Sequence, residues 1–198
     1  EAQALSLATS INKAVGLVPI IPTSATIASG SASISATGLA TFTSVPNITV
    51  NNVFTSAYAN YKVIIEINSA SATLELRTYF ASGGTPNMTS NYSQAVVQTA
   101  INGGTLSSHN GGNIPYAAFG YLQPATNYGR ASASQDIYQP ATTDFTRYIS
   151  SSQAHTSGGA WTSFFDSGIF SSGVSFDGFT VAGSTGTISG TVQVYGYR

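Results

Sequence analysis

The sequence has no cysteine, so no disulfide contributes to its stability. A loop-rich secreted eukaryotic module would ordinarily carry them, and their absence suits a bacterial or viral protein. Charge is also scarce. Only 7% of the 198 residues are Asp, Glu, Lys or Arg, against roughly a quarter in an average globular domain. The six basic residues, Lys13, Lys62, Arg77, Arg130, Arg147 and Arg198, are scattered. Nucleic-acid binding needs clustered Lys and Arg, so that class is excluded. With a net charge of −1, no long-range steering of a charged partner is expected. Apolar runs are short as well. Val15 to Ile21 is broken by Gly16 and Pro19, far below the roughly 18 apolar residues of a membrane span, so no membrane insertion is expected. The N-terminal stretch lacks a basic region and a cleavage pattern, which argues against a signal peptide.

What replaces charge is Ser, Thr, Gly, Asn and Gln. Such composition can mean disorder, but 42% of residues are hydrophobic, and eleven tyrosines and ten phenylalanines fall in alternating runs. The length fits one β-sandwich or barrel domain with a core of its own.

Residues 1–15, EAQALSLATSINKAV, carry the one helical pattern. Ala4, Leu7, Ile11 and Ala14 form a two-heptad a/d stripe, shorter than a coiled coil requires. A helix this short needs a docking partner, either its own domain or another protein chain. Gly16 stops it, and Pro19 and Pro22 prevent its resumption. GLVPIIPTS then reads as an extended connector, whose Leu17, Val18, Ile20 and Ile21 require burial. The sequence thus divides into an anchor, residues 1–22, and a β domain, residues 23–198.

From Ser24 the signals are strands. NYKVIIEI, residues 60–67, places Tyr61, Val63, Ile65 and Ile67 on one face, since alternate strand residues share a face. TLELRTYF, residues 73–80, does the same with Leu74, Leu76, Thr78 and Phe80, leaving Tyr79 on the polar side. The NSASA between them predicts a hairpin with Lys62, Glu66, Glu75 and Arg77 together on its outer face. Further strands are expected at 92–99, 114–121, 134–139, 145–153, 161–170, 176–181 and 187–197. Residues 102–113, rich in Gly and Asn, read as a loop. In the last strand Ile188, Val192 and Val194 should face inward. About ten to twelve short strands with no helical pattern after residue 15 predict an all-β, antiparallel β-sandwich, jelly-roll-like, with a short N-terminal helix.

Catalytic signals are weak. His109 and His155 sit in loop-like sequence, and a zinc site wants three or four ligands at set spacing. No metal or other cofactor is expected. No pair among Glu1, Glu66, Glu75, Asp136, Asp144, Asp166 and Asp177 is marked as the facing carboxylates of a glycosidase. Asp166 and Asp177 read as turn or strand-edge residues. There is no G-x-S-x-G, and the Gly pairs lack the context of a phosphate-binding loop. Tyr116, Phe119, Tyr121 and Tyr128 have two readings: an exposed set stacking on sugar rings, making them candidate glycan contacts, or buried packing with hydroxyls at the rim.

GLVPIIPTSATIASGSASISATGLATFTSVPNITVNNVFTSAYANYKVIIEI, residues 16–67, resembles the start of minor tail and related virion proteins of actinobacterial bacteriophages. FDGFTVAGSTGTISGTVQVYGYR, residues 176–198, is similar to their C-terminal strand pair. The middle, roughly residues 81–160, matches only in composition. The resemblance implies a non-enzymatic component of the virion, multimeric and homotrimeric in expectation, with other tail or capsid proteins as partners. It implies a receptor-binding role on a host surface glycan; capsid decoration or a head fibre is the alternative, and a cell-wall polysaccharide depolymerase the third reading. In the first two, Ala4, Leu7, Ile11, Ala14, Leu17, Val18 and Ile20 would make the anchor or oligomer contact.

Overall fold

A computed structural model describes residues 16–101, 104, 106–122, 130–155 and 161–198, with backbone alone at 119–122. The helix expected over residues 1–15 lies outside them. The described residues hold sixteen strands: β1 (Leu17–Ile20), β2 (Ser24–Ile27), β3 (Ser31–Ile34), β4 (Ala40–Val45), β5 (Asn47–Asn51), β6 (Asn60–Ala70), β7 (Leu74–Ser82), β8 (Thr85–Pro86), β9 (Tyr92–Ala100), β10 (Ser107–Ile114), β11 (Ala117–Leu122), β12 (Ala131–Tyr138), β13 (Thr146–His155), β14 (Trp161–Phe170), β15 (Gly178–Gly183) and β16 (Ile188–Tyr197). They form two antiparallel sheets. The larger runs β10-β9-β14-β13-β12-β6-β16-β4-β3, with β1 also on β16. The smaller runs β11-β7-β15-β5-β2, with β8 on β7.

The chain repeatedly changes sheet. Pro22 follows β1, and Pro46 separates β4 in the large sheet from β5 in the small one; a proline has no N–H to continue a ladder. Gly30 makes the step from β2 to β3 at φ 88°, and a Cβ there would sit 2.5 Å from the Thr43 carbonyl oxygen. Glycine alone fits such a position. Gly190 permits a second close approach, where β16 shifts register against β6 and a Cβ would meet the Glu66 carbonyl oxygen at 2.0 Å.

Both sheets contribute to one core. Tyr61, Val63, Ile65 and Ile67 on β6 and Leu74, Leu76, Thr78 and Phe80 on β7 are buried, as their alternation requires, and so are Ile188, Val192 and Val194 on β16. Phe80 is the hub of an aromatic cluster, with ring centroids 5.8 Å from Tyr92, 5.2 Å from Phe176, 6.2 Å from Tyr148 and 6.3 Å from Phe170. Buried tyrosines also satisfy their hydroxyls. Tyr92 Oη accepts from the Phe80 N–H and donates to the Asn87 carbonyl. Tyr61 Oη likewise accepts from Thr55 N–H and donates to Thr55 O.

Four expectations are corrected. First, β6 and β7 are not a hairpin: β6 pairs with β12 and β16, and β7 with β11 and β15. The chain crosses between the sheets at residues 71–73, because each strand carries an apolar inner face and stacking the sheets buries both. Lys62, Glu66, Glu75 and Arg77 therefore do not share a face. Lys62 Nζ pairs with Asp136 at 2.8 Å, while Arg77 Nε pairs with Glu75 at 2.7 Å. Second, Tyr79 is buried despite its polar-side phase. Its ring meets Tyr116 edge-on at 6.4 Å. Third, part of the Gly/Asn-rich stretch is strand β10, held to β9 through its backbone with an irregularity between Gly111 and Ile114. Fourth, His109 and His155 lie on strands β10 and β13 rather than in loops.

Leu17, Val18 and Ile20 lie on β1, whose register on β16 pairs Leu17 with Tyr197 and Ile20 with Val194. Ile20 packs against the core, while Leu17 is exposed. The extended part of the expected anchor is thus a strand of the large sheet.

Phe80→Ala is expected to lower stability by about 3–5 kcal/mol, the cost of emptying a well-packed aromatic site. Phe165→Ala, on the exposed side of β14, is expected to cost less than about 0.5 kcal/mol. Urea unfolding of the two variants checks both values.

Candidate functional site

Among the described residues, the ten-stranded sheet presents the wider of the two outer faces. Alternation along its strands sends hydroxyls and amides outward over the apolar inner layer. Two cross-strand rows define it. In the first, Ser163 on β14, Gln153 on β13, Ser132 on β12 and Glu66 on β6 stand opposite one another in turn. In the second, Phe165, Ser151, Ser134 and Ile64 do so on the same four strands. These eight residues line a shallow trough of about 470 Å³. The four strands span three spacings, about 14 Å.

The polar groups of the trough are open. Among the described residues, the side chains of Glu66, Ser132, Ser151, Gln153 and Ser163 make no hydrogen bond to protein, and Ser134 Oγ only accepts from Lys62 Nζ at 3.1 Å. Lys62 itself is held by Asp136, and Asp136 also accepts from the Tyr197 hydroxyl. Among the described residues Glu66 has no cationic partner, and partial burial raises its carboxyl above the usual range. Phe165 stands 57% exposed at the trough's edge.

Next to it lies a second depression, lined by Ala95, Tyr138, Arg147, Ile149, Ser167 and Ile169 among others, of about 750 Å³. It is more apolar. Ser167 lines it, between Phe165 and Ile169 along β14 and opposite Ile149 and Ala95 on the neighbouring strands.

The sequence-predicted aromatic set lies elsewhere. Tyr116 precedes β11, half-buried, with the Arg77 guanidinium carbon 3.9 Å from its ring centroid. Phe119 and Tyr121 belong to β11, but their side chains, like Tyr128, lie outside the described residues. Tyr116 helps to line a cleft of about 610 Å³ with Glu75, Gln98, His109 and Phe164. Since its ring is already engaged with Arg77 and Tyr79, it offers a ligand less free surface than Phe165. Of the anchor set, Ala4, Leu7, Ile11 and Ala14 lie outside the described residues.

Sequence reasoning missed Phe165 and its row. The available signal was the pair Phe164–Phe165 inside a strand: one of two consecutive aromatics must face away from the core. Phe164 is the buried one.

Between the sheets, the inner face of β12, β13 and β14 carries a polar row. Gln135, Ser150 and Asp166 stand in register and are all buried. Asp166 is therefore not a turn or strand-edge residue as expected, but a mid-strand buried carboxyl. Its Oδ2 is 3.5 Å from Ser150 Oγ, while its Oδ1 and the Gln135 amide find no hydrogen-bond partner among the described residues. Burial pushes its pKa up to about 7, against a smaller opposing effect from Ser150. Asp177 does fill a turn role, both carboxylate oxygens accepting from Gly83 N–H. Among the described residues, no three His, Asp or Glu side chains gather as a metal-binding group.

The Asp166 carboxyl sets a pH dependence of stability. Its folded pKa lies above its unfolded value, so between about pH 4 and pH 7 the folded state holds a proton that the unfolded state has released. Stability is therefore greatest below that window and is lost as pH rises through it, by about 4 kcal/mol at most. Asp166→Asn is expected to remove this slope and to be the more stable protein at pH 8, as measured by thermal unfolding across pH. No protein-family model matches the chain, and no curated protein matches it.

Proposed function

We propose that this chain is a non-enzymatic surface protein of a bacteriophage virion, of the minor tail or receptor-binding kind, which attaches the particle to the host cell surface. The observation that carries this reading is the outer face of the large sheet: wide, poor in charge, and rich in open hydroxyl and amide groups around an exposed Phe165. The resemblance of residues 16–67 and 176–198 to virion proteins of actinobacterial phages supports the same reading.

A jelly-roll-like topology belongs to the proposal. It is supported by the way the chain passes from sheet to sheet between β1 and β7 and again from β14 through β15 to β16. So does homotrimeric assembly, with residues 1–22 anchoring the domain to other virion proteins. Display in several copies suits a surface with little charge. Each contact is short-range and weak, and multivalency raises the overall avidity without any new kind of contact.

The purified chain, added in excess to host cells, is expected to slow adsorption of the phage that carries it, as counted by free plaque-forming units. Unchanged adsorption, together with density for the chain at regular positions over the capsid in a cryo-EM map, would replace this reading with capsid decoration.

A further inference from the structure

We propose that the trough on the outer face of the large sheet is a binding site for a neutral saccharide, with Phe165 as the stacking platform and Glu66, Gln153, Ser151 and Ser163 as its polar contacts. This deepens the attachment reading and rests on it only for the source of the ligand, since it assigns both the site and the ligand's chemical class.

Several observations select this class. β6, β12, β13 and β14 each have a strand on both sides. Their backbone groups are committed to the sheet, so a peptide adding a strand finds no free ladder there. Recognition must come from side chains alone. The side chains present are hydroxyls, an amide and a carboxylate, none of which bonds to another described residue apart from Ser134. Hydroxyls and amides both donate and accept, and a carboxylate accepts at two oxygens. A ligand matching that set offers many hydroxyls and an apolar ring face, which is the chemistry of a pyranose. The C–H face of the sugar covers Phe165, while its edge hydroxyls reach the two rows.

Charge further narrows the ligand. Glu66 is the trough's one charged lining residue, and the nearest ammonium, Lys62, is held by Asp136. Within the trough an anionic sugar would meet repulsion from Glu66, with no cation among the lining residues to offset it. A neutral or N-acetylated sugar would not. The adjoining apolar depression at Ser167 continues the surface past Phe165, so an extended chain can cross the aromatic ring from one hollow into the next.

The test is an array of neutral and acidic bacterial-type oligosaccharides probed with the full chain, followed by calorimetry on the strongest binder. Neutral members are expected to bind. Phe165→Ala should weaken binding about tenfold or more, the scale of one lost stacking contact, with an unchanged urea midpoint. Glu66→Gln and Gln153→Ala should each weaken it several-fold, while Tyr116→Ala should leave it unaltered. Binding that survives Phe165→Ala but is lost in Tyr116→Ala would overturn the proposal in favour of the cleft at Tyr116. Binding confined to acidic glycans, or to none, would overturn it as well. If no glycan binds and the chain still blocks phage adsorption, the saccharide site falls while attachment stands. If neutral glycans bind through Phe165 and adsorption is untouched, the site stands and the attachment reading falls.

Discussion

The structure depends on the stacking of two apolar strand faces that are near neighbours in sequence. Tyr61 to Ile67 and Leu74 to Phe80 each bury every second side chain, and neither can leave its inner face in water. Placed side by side in one sheet, they would need a third element to cover them both. Placed in different sheets, they cover each other, and residues 71–73 form the arch between them. The later strands then divide according to which side of that arch they complete. β12 and β16 flank β6, while β11 and β15 flank β7. The arch thus determines that the outer faces of β6 and β7 point to opposite sides of the molecule, and separates Lys62 and Glu66 from Glu75 and Arg77.

The sheets are unequal, and the inequality has chemical consequences. The large sheet has ten strands and the small one six. Toward one end, the small sheet's edge strand β11 lies against β9, β13 and β14. There the inner layer changes from aliphatic and aromatic side chains to Gln135, Ser150, Ser152 and Asp166. A buried carboxyl near Ser150, with no cation paired to it among the described residues, is costly to ionise. The protein avoids that cost by keeping Asp166 protonated at acidic pH, and the core end under β11 becomes its pH-sensitive part.

Much of this was legible in the sequence, and the failures have physical causes. The inner faces of β6, β7 and β16 follow from period-two alternation, because burial acts on one face at a time. The β14 boundaries, Trp161–Phe170, match the strand expected at 161–170. β10 was illegible because Gly111, Gly112 and Asn113 carry no alternating apolar pattern. That strand exists through backbone hydrogen bonds to β9, to which side-chain identity contributes little. The arch between β6 and β7 was illegible because a short polar connection serves a hairpin and an arch equally well; distant strands decide between them. The trough was hidden for a related reason. Ser132, Ser134, Ser151 and Ser163 come from three strands, and only cross-strand register brings them together.

Scarcity of charge gives the outer face its character. Of the few ionic groups, Lys62 with Asp136 and Glu75 with Arg77 are paired with each other, and exposed pairs of this kind contribute about 1 kcal/mol or less to stability. Their larger effect is on recognition, because a paired charge exerts little field on an approaching ligand. Association is left to short-range contact. For a neutral polyhydroxyl ligand this is an advantage, because open serine hydroxyls and an exposed phenyl ring shed water at less cost than free ions do. The same economy makes each contact weak. A face built in this way discriminates by the fit of hydroxyls around Phe165, and it reaches useful strength when many copies engage one surface together.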